Sequence, residues 1–123
     1  MPLIAIVDDD PSVLKALALL LRAHVLYVRT YTSAQEFLAS LREGLPECLI
    51  VDLQMPPEMT GLELQLHLTH SGVEIPTIVI TAGSDTEARE LCAAAGASAI
   101  LLKPLQDTLL LAAIDSITGG QKS

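Results

Sequence analysis

The chain predicts an α/β domain built on a doubly wound, five-stranded parallel sheet with five helices. Two observations carry that expectation. Short apolar runs rich in branched side chains, Leu3-Ile4-Ala5-Ile6-Val7, Leu49-Ile50-Val51 and Thr77-Ile78-Val79-Ile80, read as strands buried on both faces. Between them lie segments that carry helix-start signals rather than hairpin turns, and strands joined by helical crossovers run parallel. A length of 123 residues suits one domain with a proper core.

The elements follow in order. After the first strand, Asp10 precedes Pro11, and Asp at the N-cap with Pro at the first helical position starts a helix. Val13, Leu14, Leu17, Leu20 and Leu21 sit at helical spacing through about Ala23. Val25 to Val28 is a short second strand. Ser33-Ala34-Gln35-Glu36 is a capping box opening a helix through about Leu41. The third strand, Leu49 to Val51, ends in Asp52. Thr60-Gly61-Leu62-Glu63 is another capping box. The leucines that follow, Leu62, Leu64, Leu66 and Leu68, alternate as in a strand. The capping box, the helix-forming Glu63 and Gln65, and the need for a crossover between parallel strands favour a helix instead. In a helix, Leu64 and Leu68 share one face and Leu66 points elsewhere. Thr77 to Ile80 is the fourth strand, and Ser84-Asp85-Thr86-Glu87 caps a fourth helix closed by Gly96. Ala99 to Leu102 is the fifth strand, and Leu105 to about Ile117 the last helix. The domain is expected to occupy residues 1–118, with 119–123 a tail or the start of a linker.

Composition narrows the functional classes. A formal net charge of -8 argues against direct nucleic-acid binding, which needs a basic face. No apolar run has the length and flanks of a membrane helix, and no secretory signal opens the chain. Cys48 and Cys92 lie in apolar surroundings without metal-ligand spacing, and read as buried free thiols of a cytoplasmic protein.

The chemistry-bearing residues share one edge. In an open doubly wound sheet, ligands bind outside the carboxyl ends of the strands, where strand order reverses. Strand one ends in Asp8 and Asp9, strand three in Asp52, strand four in Thr81 and strand five in Lys103. Crowded carboxylates repel one another, and a divalent cation with a preference for hard oxygen ligands, Mg²⁺, relieves them. Metal and lysine together nearly cancel the carboxylate charge, so a phosphoryl group can approach. An aspartate can then act as nucleophile and form an aspartyl phosphate. Asp10 is assigned to capping rather than to this chemistry.

Four motifs in order, Ile6-Val7-Asp8-Asp9-Asp10, Val51-Asp52-Leu53-Gln54-Met55-Pro56, Ile80-Thr81-Ala82 and Leu102-Lys103-Pro104, resemble those of response-regulator receiver domains of two-component signal transduction. The similarity spans nearly the whole chain. It implies a flavodoxin-like sheet of order 2-1-3-4-5. It also implies a phosphoprotein that takes a phosphoryl group from a sensor histidine kinase or phosphotransfer protein onto Asp52. By the same resemblance Mg²⁺ is held by Asp8, Asp9, Asp52 and the backbone carbonyl of Gln54. Thr81 and Lys103 would contact the phosphoryl group, and Lys103-Pro104 would be a cis peptide, which occurs almost only before proline. Such a domain is not an enzyme acting on a separate substrate, but it assists its own phosphotransfer and dephosphorylation.

Two departures from the family pattern stand out. The loop Met55-Pro56-Pro57-Glu58-Met59-Thr60-Gly61 is one residue longer than usual, and Ile100 replaces an aromatic residue that rotates in many receivers. Signalling is therefore expected to run through the Ala82-Gly83-Ser84 loop and the face of the fourth helix, fifth strand and fifth helix. The last helix, Leu109 to Ile114, is apolar on its outer side, which suggests a phosphorylation-enhanced homodimer or partner complex through the last two helices. Two other readings stay open. One is a phosphatase of the haloacid dehalogenase class, with Asp8 as nucleophile and Asp10 as acid-base. Against it, Pro11-Ser12 matches poorly and no paired acidic motif follows Lys103. The other is a receiver-like binding module that is never phosphorylated, although no pocket residue is missing.

Overall fold

Five strands pair in parallel in the order β2-β1-β3-β4-β5. They are β1 (Leu3–Val7), β2 (Tyr27–Tyr31), β3 (Cys48–Asp52), β4 (Thr77–Thr81) and β5 (Ala99–Leu102). The helices between and after them are α1 (Pro11–Ala23), α2 (Ala34–Ser40), α3 (Gly61–His70), α4 (Thr86–Ala94) and α5 (Asp107–Thr118). A 3-10 turn, Leu41–Glu43, extends α2. This computed structural model describes residues 3–24, 26–53, 61–81 and 86–119.

The strand residues divide between two cores because side chains alternate across a sheet. Ile4, Ile6, Ile50, Ile78 and Ile80 pack with Leu14, Leu17 and Leu21 of α1 and Leu110 and Ile114 of α5. Ala5, Val7, Leu49, Val51 and Val79 face the other way, onto Phe37 of α2, Leu64 and Leu68 of α3 and Cys92 of α4. Covering both faces explains why β1, β3 and β4 are apolar without interruption. It also separates the cysteines. Cys48 lies in the first core and Cys92 in the second, both buried and free. Burial pushes the Cys48 thiol up to about 12 and the Cys92 thiol upward too.

The caps explain where the helices start and stop. Asp10 accepts from the Ser12 amide at 2.9 Å, opening α1. Ser33 accepts from the Glu36 amide at 3.1 Å, but Glu36 reaches past it to the amide and hydroxyl of Thr32, each at 3.0 Å. The reciprocal half of the box is thus shifted by one residue. Helices α3 and α4 end alike, with Gly72 (φ 76°) and Gly96 (φ 102°) in the left-handed region. There the Val73 amide returns to Leu68 and the Ala97 amide to Cys92, in Schellman geometry.

The second strand lies further along than the sequence suggests. Leu26 precedes the strand, Val25 lies outside the described residues, and pairing runs from Tyr27 to Tyr31, where Leu3 to Val7 offer five partners in register. As an edge strand, β2 buries Val28 and leaves Tyr27, Arg29 and Thr30 exposed, so it lacks a continuous apolar run. Helix α5 begins at Asp107 rather than Leu105, after an extended Gln106 (φ -98°, ψ 128°). The alternating leucines of α3 are helical, with Leu64 and Leu68 buried and Leu66 exposed.

Candidate functional site

Strand order reverses between β1 and β3, and the two strands end side by side in acidic residues. Asp8 follows β1 directly, and Asp52 is the last residue of β3. Both are buried, with 4% and 6% of their surface exposed, whereas Asp9 is exposed. Thr81 ends β4 and is fully buried, and Lys103 follows β5. Backbone bonds beyond the strand ends pin these positions. The Asp8 amide donates to Tyr31 at 3.1 Å, the Leu53 amide to Ile80 at 2.8 Å, and the Lys103 amide to Thr81 at 2.9 Å. The Lys103–Pro104 peptide is cis.

The side chains meet across this edge. Lys103 Nζ donates to Asp52 Oδ2 at 2.9 Å. Asp8 Oδ1 accepts from the Asp10 amide at 2.9 Å. Burial is the largest influence on Asp8 and raises its carboxyl from 3.8 to about 6. The Asp10 amide works against that shift, the charge of Asp52 adds to it, Lys103 opposes it and Asp9 adds to it. The hydrogen bond to Asp52 raises Lys103, outweighing its partial burial, so the ammonium stays charged. Asp10, its carboxylate on the Ser12 amide, belongs to the helix cap.

Among the described residues no three carboxylate, histidine or cysteine side chains form a ready-made metal cluster. Mg²⁺ does not need one. It keeps several waters and is held by one or two carboxylates. A carboxyl raised by burial and, to a lesser extent, by a second carboxylate that holds one ammonium is a hard-oxygen donor set short of positive charge. The residues present therefore fit such a cation. Gln54, the 55–60 loop and the 82–85 loop lie outside the described residues.

Sequence reasoning missed the role of Gly61. A Cβ there would lie 2.7 Å from the Asp52 backbone oxygen and 2.9 Å from the Leu53 Cα. Helix α3 thus starts against the backbone of the acidic strand end, and the Gly61 amide donates to Leu53 at 3.0 Å. The only hint in the sequence is a glycine at a helix start. Ile100 is half-buried on β5, packed against the core that contains Val79.

The raised Asp8 carboxyl has a consequence for stability. Between 3.8 and about 6 the folded carboxyl keeps a proton that the unfolded one has released, so its contribution to stability falls as pH rises through that window. Asp8→Asn is expected to stabilise the metal-free protein at pH 7 by about 1–3 kcal/mol. The gain over wild type should vanish near pH 3. Urea midpoints in EDTA across that range check this, and a gain that does not change with pH would contradict it.

Comparison with known proteins agrees with the geometry. The family model for the response regulator receiver domain matches residues 4–115. The response regulator protein TmoT of Ectopseudomonas mendocina is 40% identical over 111 residues, which are 90% of this chain and 50% of that protein. The transcriptional regulatory protein FixJ of Rhizobium meliloti is 37% identical over 110 residues, 89% of this chain and 53% of that protein. The chain therefore spans about half the length of these curated relatives. The solved structure of FixJ-N superposes with a TM-score of 0.89 at 33% identity, covering 100% of this chain and 98% of that one. A receiver protein from Burkholderia phymatum gives 0.85 at 41% identity, covering 98% and 97%. With its strand order, its acidic edge and these relatives in agreement, the chain belongs to the response regulator receiver domain family.

Proposed function

We propose that this domain accepts a phosphoryl group on Asp52, from a sensor histidine kinase or a phosphotransfer protein in the cytoplasm. The observation that carries the reading is the Lys103–Asp52 pair beside the buried Asp8, at the switch point of the sheet. Asp8, Asp9, Asp52 and the backbone carbonyl of Gln54 would hold Mg²⁺. When bound, the ion supplies positive charge to the phosphoryl oxygens. An Asp52 carboxylate oxygen attacks phosphorus, an O–P bond forms, and the bond from phosphorus to the donor nitrogen or oxygen breaks. The Lys103 ammonium, already on the carboxylate, moves to a phosphoryl oxygen. The Thr81 hydroxyl donates to another, so that charge is met by groups held in position beforehand.

The phosphatase alternative needs Asp10 as acid-base. That side chain is engaged with the Ser12 amide and exposed, which favours the receiver reading. No helix among the described residues is long and apolar enough to cross a membrane. The output surface we infer is carried by Leu91 of α4, Leu102 of β5 and Leu109 of α5, three large apolar side chains each about half exposed. Strand β5 contacts both α4 and α5, and Ile100 is too short and branched to report the Thr81 movement as a ring would. Phosphorylation adds about -1.5 to -2 charges and would be communicated through the loop after β4 to this face, where a second copy docks.

Two measurements follow. Intact mass after incubation with acetyl phosphate should rise by one phosphoryl group in wild type with Mg²⁺, and stay unchanged with EDTA or in Asp52→Asn. Equal uptake by Asp52→Asn would overturn the assignment. Sedimentation with beryllofluoride should reveal a dimer that Leu109→Glu weakens by about tenfold or more, as expected when a buried apolar contact is replaced by a charge. A monomer in both states would remove the proposed surface.

A further inference from the structure

Gln65 lies one turn into α3, on the same side of the helix as Gly61, and is only 5% exposed. Its Nε2 donates at 3.3 Å to the carbonyl of Cys92, in the last turn of α4. That carbonyl already accepts from the Ala97 amide at 3.1 Å, so it is satisfied without the side chain. Because a carbonyl only accepts, the amide nitrogen faces it and Oε1 is the other atom. Oε1 is buried and has no hydrogen-bond partner. Leaving an acceptor buried and unpaired costs more than one ordinary hydrogen bond returns. Stability alone thus favours an apolar side chain here, as at the neighbouring buried Leu64 and Leu68.

What the bond does supply is a connection. Gly61 packs against the backbone that follows Asp52 and donates its amide to Leu53 at 3.0 Å. A helix is a stiff element, so a displacement at Gly61 reaches Gln65 one turn away. Beyond the bond, Cys92 is joined in the chain to Leu91, half-exposed on the output face. The interface is also incompletely bonded. Among the described residues, the buried side-chain polar atoms without a partner are Gln65 Oε1 and Arg89 Nε. One is an acceptor on α3, the other a donor on α4 three residues before Cys92. Unmade bonds on two facing helices are a store of strain that a shift between the helices can relieve.

We propose that Gln65 is a positioning residue that ties the end of α4 to α3, and so passes movement of the Asp52 strand end to the output face. The proposal rests on the phosphoacceptor reading above and adds a second route beside the loop after β4. The tie costs stability, because its oxygen goes unpaired, and an apolar residue would fill the same space without holding α4.

Gln65→Leu in the full chain tests this, because leucine removes both the tie and the unpaired oxygen. At rest its urea midpoint should equal or exceed that of wild type, while the Ala97 amide, which bonds Cys92, exchanges faster. Phosphoryl uptake from acetyl phosphate should stay close to wild type. Amide NMR with Mg²⁺ and beryllofluoride should show the wild-type shift at Leu53, with the shifts over Leu91 to Ala97 reduced about twofold or more. Wild-type shifts over Leu91 to Ala97 in the variant would overturn the tie alone. So would a lowered urea midpoint, which would make Gln65 an ordinary stabilising contact. A wild-type protein without a shift at Leu53 would overturn the phosphoacceptor reading, and the proposal with it.

Discussion

Two carboxylates buried side by side, with one ammonium for both, are the constraint on which the rest of this molecule depends. Asp8 and Asp52 stand at the ends of adjacent strands, and neither could be buried there without charge compensation. Lys103 supplies part of it from two strands away, at 2.9 Å from Asp52. That reach requires β4 to lie between β3 and β5 in register, with its last residue, Thr81, bonded to the Lys103 amide. Burial is the main reason the Asp8 carboxyl holds its proton to about 6, and the charge of Asp52, which Lys103 only partly offsets, adds to it. A site with surplus negative charge and a movable ammonium is unfavourable at rest and relieved by a cation. That is the starting condition phosphoryl transfer to a carboxylate needs.

The same edge is tied mechanically to the helices. Gly61 lets α3 begin in contact with the backbone of Asp52, where any side chain would collide with main-chain atoms. One helical turn further on, Gln65 reaches from α3 to the carbonyl of Cys92 in α4. The acidic edge, α3 and α4 therefore form a continuous set of contacts, and α4 presents Leu91 on the surface beyond.

What the sequence made legible follows from where side chains sit. The strands β1, β3 and β4 were readable because burial on both faces demands unbroken apolar runs, and their acidic or hydroxyl ends announced the functional edge. Asp10 was readable as a cap because Asp-Pro has a local meaning. Strand β2 was placed early, with Leu26 inside it, because this edge strand buries only Val28 and has no such run. The direct Lys103–Asp52 bond, the close approach at Gly61 and the unpaired Gln65 oxygen were not readable. Each depends on a neighbour far away in the chain, and a glycine or glutamine in a helix gives no local sign of it.

The central claim is that Asp52 is the residue that takes the phosphoryl group. Borohydride reduces an acyl-phosphorylated aspartate to homoserine, so reduction after treatment with acetyl phosphate and Mg²⁺, followed by peptide sequencing by mass spectrometry, locates the acceptor. Homoserine at position 52 alone is the expected result. Homoserine at position 8, or at no aspartate of this edge, would contradict the account.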